Sequence, residues 1–310
     1  MANQKEKNFV SAVVYVHNDS NGIVPFLKRI NDVLFANFEK FEIICVNDAS
    51  VDDSREKIAE YGKTMENCVL SFVNMSYEQG VEASMNAGLQ ISIGDFVFQF
   101  DNLMADYDPD LIMEVYRHSL TGYDIVAASN QQYKSVSSKL FYRVFNRAAH
   151  FQYALDSQTF LLISRRAINR VNSMSRTIPY RKAVYANCGL KCDCLTYQSN
   201  GQAVSRISNS QRMETAVNSL VLFTNIAYRI SFGISVFMIL ATLGMVIYTF
   251  ATYFYGRPVE GFTTTMLVMT GCFFGVFTIL TFVLKYLSIL VDLVFKRRVH
   301  IIESIEKITK

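Results

Sequence analysis

Two alternating patterns of apolar and polar residues organise the first 130 residues of the chain. Apolar, β-branched runs predict strands, and the segments between them repeat apolar residues at helical spacing. A helix is predicted after each of the first four strands. The predicted strands are 11–17, 41–48, 68–75, 95–101 and 124–129. Strands that alternate with helices favour an α/β fold, in which helices cover both faces of a mostly parallel sheet.

Polar residues stand where these strands end. Asn18 follows the first strand, Asp48 the second and Asp101 the fourth. Ligands of such sheets bind beyond the carboxyl ends of the strands, so these side chains are candidates for a binding site. Helix capping is the other common role of an acid at such a position. The first strand-to-helix turn has neither a dinucleotide fingerprint nor a P-loop, which disfavours both of those classes.

The last third of the chain is far more apolar. No charged residue occurs between Ile230 and Gly256 or between Gly261 and Leu284. Each stretch exceeds the roughly 20 residues that a helix needs to cross a bilayer. The sequence therefore predicts a hairpin of two transmembrane helices, joined by residues 257–260.

Charge predicts the orientation of this hairpin. The short loop has no net charge, whereas Arg229 precedes the first span and Lys285, Lys296, Arg297 and Arg298 follow the second. By the positive-inside rule, the N-terminal domain and both termini lie in the cytoplasm, as in a multi-pass protein of the inner membrane. The N-terminus is polar and does not have the apolar core of a signal peptide.

Charge is also uneven within the N-terminal part. Residues 1–132 carry 9 basic and 20 acidic side chains, and residues 133–229 carry 14 basic and 3 acidic ones. A basic segment that directly precedes a membrane favours lipid phosphate over nucleic acid as its partner. Within it, residues 138–152 predict an amphipathic interface helix with Lys139, Arg143 and Arg147 on one face.

These patterns divide the chain into four parts. They are an α/β core (1–132), a basic, membrane-proximal region with interface helices (133–229), two transmembrane helices (230–284) and an amphipathic cytoplasmic tail (285–310). Apolar residues at helical spacing predict that the tail is another surface helix. Surface helices and paired spans also suit a homo-oligomer.

Several motifs resemble a known family. SAVVYVHND (11–19), ICVNDASVDDS (44–54), the segment Gly80–Asp95 and FLLISRRAI (160–168) carry the likeness. They are similar to motifs of the family-2 glycosyltransferases of the GT-A fold, and within that family to the polyisoprenyl-phosphate glycosyltransferases related to dolichyl-phosphate mannose synthase. The resemblance covers nearly the whole chain, including the two spans.

This resemblance implies transfer of a sugar from a nucleotide sugar to a polyprenyl phosphate at the cytoplasmic membrane surface. Asp48 would contact the base or ribose, and Asp101 would be a catalytic residue and the first acid of the D-x-D element that holds Mg²⁺ or Mn²⁺. The implied nucleotide-binding set is Val16, Asn18, Asp48, Ser50, Gly80, Asn86 and Asp101. The implied acceptor-phosphate set is Arg143, Ser205 and Arg206.

The chain departs from the family pattern at two acids. Leu103 stands at the second D-x-D position, which leaves Asp106 or Asp108 as the candidate second metal ligand. Thr159 stands where the family has an acid, which leaves Asp156 as a candidate catalytic residue. A lipid phosphate is already an anion, so its attacking oxygen needs no strong general base. Fewer carboxylates weaken metal binding, and cationic side chains could partly replace the metal.

Two other functions fit the same sequence. An enzyme of this fold that acts on another lipid-linked or glycan hydroxyl acceptor would need a general base, for which Asp106 and Asp156 are candidates. A non-catalytic relative would bind nucleotide or lipid and support a partner complex. A transfer assay separates the three hypotheses. Product on polyprenyl phosphate supports the first, product only on glycolipid supports the hydroxyl acceptor, and donor binding without turnover supports the non-catalytic relative.

Overall fold

The computed structural model describes residues 5–65, 68–130, 143, 158–174, 181–186, 188–199, 226–255, 261–295 and 302–307. The chain divides into two compact units. One combines residues 1–213 with 297–310, and the other is 214–296.

The first unit is built on one mixed sheet. Its strands in the described residues are β1 Val10–Val16, β2 Phe41–Asn47, β3 Val69–Met75, β4 Phe96–Phe100, β5 Ile125–Asn130, β6 Phe160–Ser164, β7 Cys192–Tyr197 and β8 Ile302–Lys307. Its helices there are α1 Ile23–Asn37, α2 Ser54–Thr64, α3 Gly80–Ile91, α4 Asp110–Leu120, α5 Arg165–Met174 and α6 Arg181–Ala186. The five strands predicted from sequence are confirmed as β1 to β5, and the helices that follow the first four are confirmed as α1 to α4.

The strand order is β7-β5-β6-β4-β1-β2-β3-β8. β1 pairs in parallel with β2 and β4, β2 with β3, and β5 with β7. β6 runs antiparallel to both β4 and β5, and β8 runs antiparallel to β3. The expectation of a mostly parallel sheet is confirmed.

The winding of the sheet reverses between β1 and β4. From β1 the chain builds outward through β2 and β3 on one side, and then returns to add β4 on the other side. In open α/β sheets, ligands bind in the crevice that such a reversal leaves at the carboxyl ends of the strands. Val14 is level with Phe100 in the pairing of β1 and β4, so Asp101 lies beside the end of β1.

Apolar layers cover both faces of the sheet. Successive residues of β1 alternate between them, since Val13 belongs to one layer and Val14 to the other. On the Val13 face α3 lies unusually close, because a Cβ at Gly88 would be only 2.4 Å from Val13 Cγ1 and 2.8 Å from Val46 Cγ2. A side chain at residue 88 would therefore force α3 or these two valine side chains to shift.

The second unit contains two long helices in its described residues, α7 Ile226–Tyr255 and α8 Phe262–Phe295. Within α8, residues 264–283 have a mean hydropathy of 2.2 and are long enough to cross a membrane. The apolar stretch of α7, Phe232–Tyr248, is shorter than a full span. Among the described residues, one of the two predicted spans is therefore matched, and the second remains a prediction.

The C-terminal tail differs from the prediction of a surface helix. Ile302–Lys307 forms β8 and pairs with β3 along Ser71–Met75. Residues 286–295, whose apolar spacing led to the prediction, are helical as the end of α8, whereas the prediction is wrong for the six residues of β8. Without β8, β3 would be an edge strand with a row of unpaired N–H and C=O groups, and pairing satisfies them. Helical spacing in the tail could not reveal this, because a strand partner so distant in sequence leaves no local signal.

Candidate active site

The carboxyl ends of β1, β2 and β4 bring several of the predicted residues to one edge of the sheet. Val16 ends β1, Asp48 follows β2 and Asp101 follows β4. The loops after β1 and β2 are joined directly, because the Asn18 N–H donates to Ser50 Oγ at 3.0 Å and the Val51 N–H donates to Asn18 Oδ1 at 2.9 Å. Asn18 has a φ of +51°, a left-handed conformation that asparagine tolerates well.

Asp48 is fully buried and holds the start of α3. Its carboxylate accepts hydrogen bonds from the backbone N–H groups of Gln79 and Gly80, both at 2.8 Å, and from the Tyr15 hydroxyl at 3.0 Å. Gly80 has a φ of +82°, a conformation that glycine adopts without a steric penalty. Burial, and then the neighbouring Asp48 charge, raise the pKa of Tyr15, so this phenol stays a donor. Asn86, one of the predicted nucleotide-binding residues, is buried further along α3.

Asp101 has a different environment, because two cations hold it. Arg181 Nη2 donates to its Oδ1 at 2.7 Å, and Lys182 Nζ lies 3.2 Å from its Oδ2. Burial alone would raise the pKa of this carboxyl, but Arg181 and then Lys182 outweigh that effect and lower it to about 2. Asp101 is therefore a paired carboxylate at neutral pH and a weak base.

Arg181 is fixed by more than Asp101. Its side chain is only 1% exposed, and it donates to Glu82 Oε2 through Nε at 2.9 Å and to Gln99 Oε1 through Nη1 at 2.6 Å. Gln99 lies in β4 and Asp101 directly follows this strand, two residues later, so one guanidinium reaches both side chains. Tyr185, on the next turn of α6, donates its hydroxyl to the same Gln99 Oε1 at 3.3 Å. The acids beside it raise the pKa of Arg181 further although burial opposes them, so Arg181 stays charged.

Asp106, the predicted second metal ligand, makes separate contacts. Its Oδ1 accepts from the Tyr197 hydroxyl at 3.0 Å, and its Oδ2 accepts from Asn130 Nδ2 at 2.8 Å. These partners end β7 and β5 and belong to another part of the carboxyl edge. Leu103, at the position of the second D-x-D acid, packs against the apolar core.

These residues do not fit a divalent cation. Both oxygens of Asp101 face cationic side chains, both oxygens of Asp106 accept hydrogen bonds from neutral groups, and Leu103 supplies no ligand. Within the described part of the chain, no three His, Cys, Asp or Glu side chains are grouped as metal ligands would be. Calcium and magnesium sites in proteins need several oxygen ligands around one point.

The remaining predicted residues are only partly placed. Arg143 is helical and exposed. Asp156, Ser205 and Arg206, together with Lys139 and Arg147, lie outside the described residues. Sequence reasoning missed Arg181, Lys182, Glu82 and Gln99. The Arg181-Lys182 pair in the basic segment was the available signal, but nothing local connects it with a carboxylate 80 residues earlier.

Comparison with known families agrees with this architecture. Residues 11–182 match glycosyl transferase family 2, and this segment is more than half of the chain. The matched segment runs from β1 to Lys182 and thus contains both Asp101 and the two cations that hold it. The chain belongs to glycosyl transferase family 2 and is a glycosyltransferase.

Individual relatives are distant. An uncharacterized glycosyltransferase of Synechocystis sp. is 27% identical over 188 residues, which are 59% of this chain and 58% of that protein. The undecaprenyl-phosphate 4-deoxy-4-formamido-L-arabinose transferase of Pectobacterium atrosepticum is 26% identical over 196 residues, 60% of this chain and 59% of that protein. The chain thus matches somewhat more than half the length of each of these two relatives.

Among solved structures, the mannosyltransferase PcManGT of Pyrobaculum calidifontis, in complex with GDP-Man and Mn²⁺, is similar with a TM-score of 0.55 and 15% identity. The match covers 94% of this chain and 89% of that one. At this identity the similarity shows a shared fold, and it confirms the GT-A-like α/β core that the sequence predicts.

Proposed function

We propose that this family 2 transferase moves a sugar from a nucleotide-sugar donor to a polyprenyl phosphate at the cytoplasmic face of a membrane. The observation that carries the proposal is the state of Asp101, the acid at the crevice between β1 and β4. Arg181 and Lys182 hold it as a carboxylate with a pKa of about 2. Such a group cannot remove the proton of a sugar hydroxyl efficiently, but an acceptor that is already an anion has no proton to remove.

The relatives support the same class of acceptor. The Pectobacterium protein is, by its name, a transferase that uses undecaprenyl phosphate. A polyprenyl phosphate lies in a bilayer with its phosphate at the surface, and a transferase that uses it must work there. The length and apolarity of α8 suit an anchor that keeps the α/β unit at that surface.

The position of β8 supports an even number of membrane crossings. Residues before α7 and residues after α8 belong to the same unit, and β8 pairs with β3 in its sheet. This pairing supports a topology in which both ends of the helical unit lie on the same side of a membrane. If α8 crosses, α7 crosses as well, which supports the hairpin; the basic residues that flank it support a cytoplasmic location of the α/β unit.

Within the crevice, we place the nucleotide against the loops after β1 and β2 and the start of α3. Asn18 is exposed and Ser50 is half-buried, so their side chains are reachable by a ligand. Asp48 is buried, and its contribution is to hold Gln79 and Gly80 in place at the mouth of the crevice. The sugar and the diphosphate would then lie toward Asp101 and Lys182.

The test is a transfer assay with the full chain in detergent or nanodiscs. We would supply radiolabelled UDP- and GDP-sugars with undecaprenyl phosphate, and with undecaprenol as the matched acceptor that has no phosphate. We expect labelled lipid only with the phosphorylated acceptor. Product on undecaprenol, or product only on extracted glycolipid, would overturn the proposal in favour of a hydroxyl acceptor.

A variant tests the predicted acceptor contact. Arg143→Ala removes an exposed guanidinium from the basic segment, and charge-assisted contacts with phosphate are strong. We expect the KM for undecaprenyl phosphate to rise about tenfold, with the KM for the donor unchanged. Arg117→Ala, an exposed arginine near the end of α4, is the matched control. If the two variants have the same KM for undecaprenyl phosphate, Arg143 does not bind the acceptor phosphate and only attracts anionic lipid headgroups in general.

A further inference from the structure

The residues beside Asp101 supply positive charge where the donor's leaving group must be neutralised. Sugar transfer breaks the bond between the anomeric carbon and a diphosphate oxygen, and negative charge builds up on that oxygen. Catalysis needs a preorganised cation at this point.

A metal ion at Asp101 would meet two obstacles. It would lie beside the charges of Arg181 and Lys182, which already face both carboxylate oxygens at 2.7 and 3.2 Å. A metal ion could bind either oxygen only by displacing one of these two partners, and breaking such a buried pair is costly. Arg181 cannot move aside to admit it, because Glu82 and Gln99 hold the same guanidinium and only 1% of the side chain is exposed.

The two cations are not equivalent. Arg181 is a fixed, buried group that bridges Glu82, Gln99 and Asp101, and this role suits structure more than ligand binding. Lys182 is the next residue, with a side chain that reaches solvent at 13% exposure. Its ammonium is a compact charge on a flexible stem with three donor hydrogens, which is suited to follow a phosphate.

We propose that Lys182 neutralises the diphosphate of the donor, and that donor binding and transfer by this chain do not require a divalent cation. The inference rests on the proposed function for the identity of the donor. Asp101 acts as a positioning residue, which holds the ammonium at the crevice between β1 and β4, and Arg181 holds Asp101 in turn.

The reaction balances without an added group. An oxygen of the acceptor phosphate attacks the anomeric carbon, the bond from that carbon to the β-phosphate oxygen breaks, and the electron pair remains on that oxygen. The products are a glycosylated lipid phosphate and a nucleoside diphosphate. The Lys182 ammonium stabilises the developing charge, and no proton transfer is needed to complete the step.

Binding of the leaving group tests the inference without turnover. We would titrate UDP and GDP calorimetrically into the full chain in detergent, once with EDTA and once with excess Mn²⁺. We expect Kd values that agree within about threefold, because the Lys182 ammonium is present in both cases. Binding that appears only with Mn²⁺, or tightens about tenfold or more with it, would overturn the inference.

Variants identify the cation. Lys182→Met keeps the length of the stem and removes the charge, and we expect the Kd of the diphosphate to rise about tenfold or more, with Lys182→Arg close to the original chain. Lys191→Ala is the matched control and should bind normally. It removes an exposed lysine that directly precedes β7, at the amino end of that strand and away from the crevice. A Lys182→Met protein with unchanged Kd and unchanged melting would also overturn the inference.

Electron paramagnetic resonance of Mn²⁺ supplies a direct measurement. We expect no more bound Mn²⁺ with the chain and UDP or GDP than with the nucleotide alone. The two proposals fail in different ways. Metal-independent diphosphate binding without product on undecaprenyl phosphate contradicts the proposed function alone. Product that EDTA abolishes and Mn²⁺ restores contradicts the role of Lys182 alone, and a chain that binds neither nucleotide under any condition contradicts both.

Discussion

Asp48 and Asp101 occupy equivalent places in the fold, since each is the first residue after a parallel strand. They differ in the groups that surround the carboxylate. Asp48 is enclosed by uncharged donors, namely two backbone N–H groups at the start of α3 and the Tyr15 hydroxyl. Asp101 is held by the charged side chains of Arg181 and Lys182, which come from the start of α6.

This difference shows that position in a sheet does not determine the role of an acid. Donors from the backbone tie Asp48 to the conformation of one turn, so its main effect is local structure. Cations from a distant segment tie Asp101 to a second part of the chain, so its main effects are electrostatic and long-range. Two substitutions and one change of pH test this difference between the acids. They are given in order of decreasing effect on stability.

Removing Arg181 should have the largest effect. Arg181→Ala removes the buried partner that Asp101 and Glu82 share, although Asp101 keeps Lys182, and breaking a buried pair costs about 3–5 kcal/mol. Because the chain has no Trp, melting of the full chain in detergent is best followed by far-ultraviolet circular dichroism. Lys57→Ala, which breaks the exposed pair with Asp53, is the control and should leave the melting nearly unchanged. If both variants melt alike, Arg181 does not organise the site.

Acid should weaken the Asp101 region next. The folded pKa of Asp101 is lowered from its ordinary 3.8 to about 2, so its pairing stabilises the fold above about pH 4 and is lost as the pH falls toward 2. The contribution is on the order of 2 kcal/mol. We expect melting temperature to fall more steeply between about pH 4 and pH 2 in the original chain than in Asp101→Asn. Parallel pH profiles of the two proteins would contradict the ion-pair description.

Tyr15→Phe should have the smallest effect, because it removes one donor from Asp48 and leaves the two backbone donors in place. The expected loss is about 1 kcal/mol, measured by the same thermal melting. Tyr77→Phe removes the hydroxyl of a tyrosine that is 56% exposed, and should leave the melting temperature unchanged. If Tyr15→Phe is as stable as Tyr77→Phe, the backbone N–H groups of Gln79 and Gly80 are sufficient to hold Asp48.

The α/β core was predictable because strands and helices leave local periodic patterns. β1 to β5 and the intervening helices follow from runs of apolar residues with periods of 2 and 3.6, and the edge that carries Asp48 and Asp101 follows from parallel strands. β6, β7 and β8 were not predicted, because their partners are remote in sequence and β-propensity depends on those partners.

The sequence by itself determined the class of sheet, the placement of acids at its carboxyl edge and the apolar length of α8, because each depends on residues that are close along the chain. Only the tertiary structure decided that Arg181 and Lys182 meet Asp101 and that residues 302–307 complete the sheet. Those contacts join segments that are 80 or more residues apart, and they form only when burial and charge compensation across the whole domain favour them.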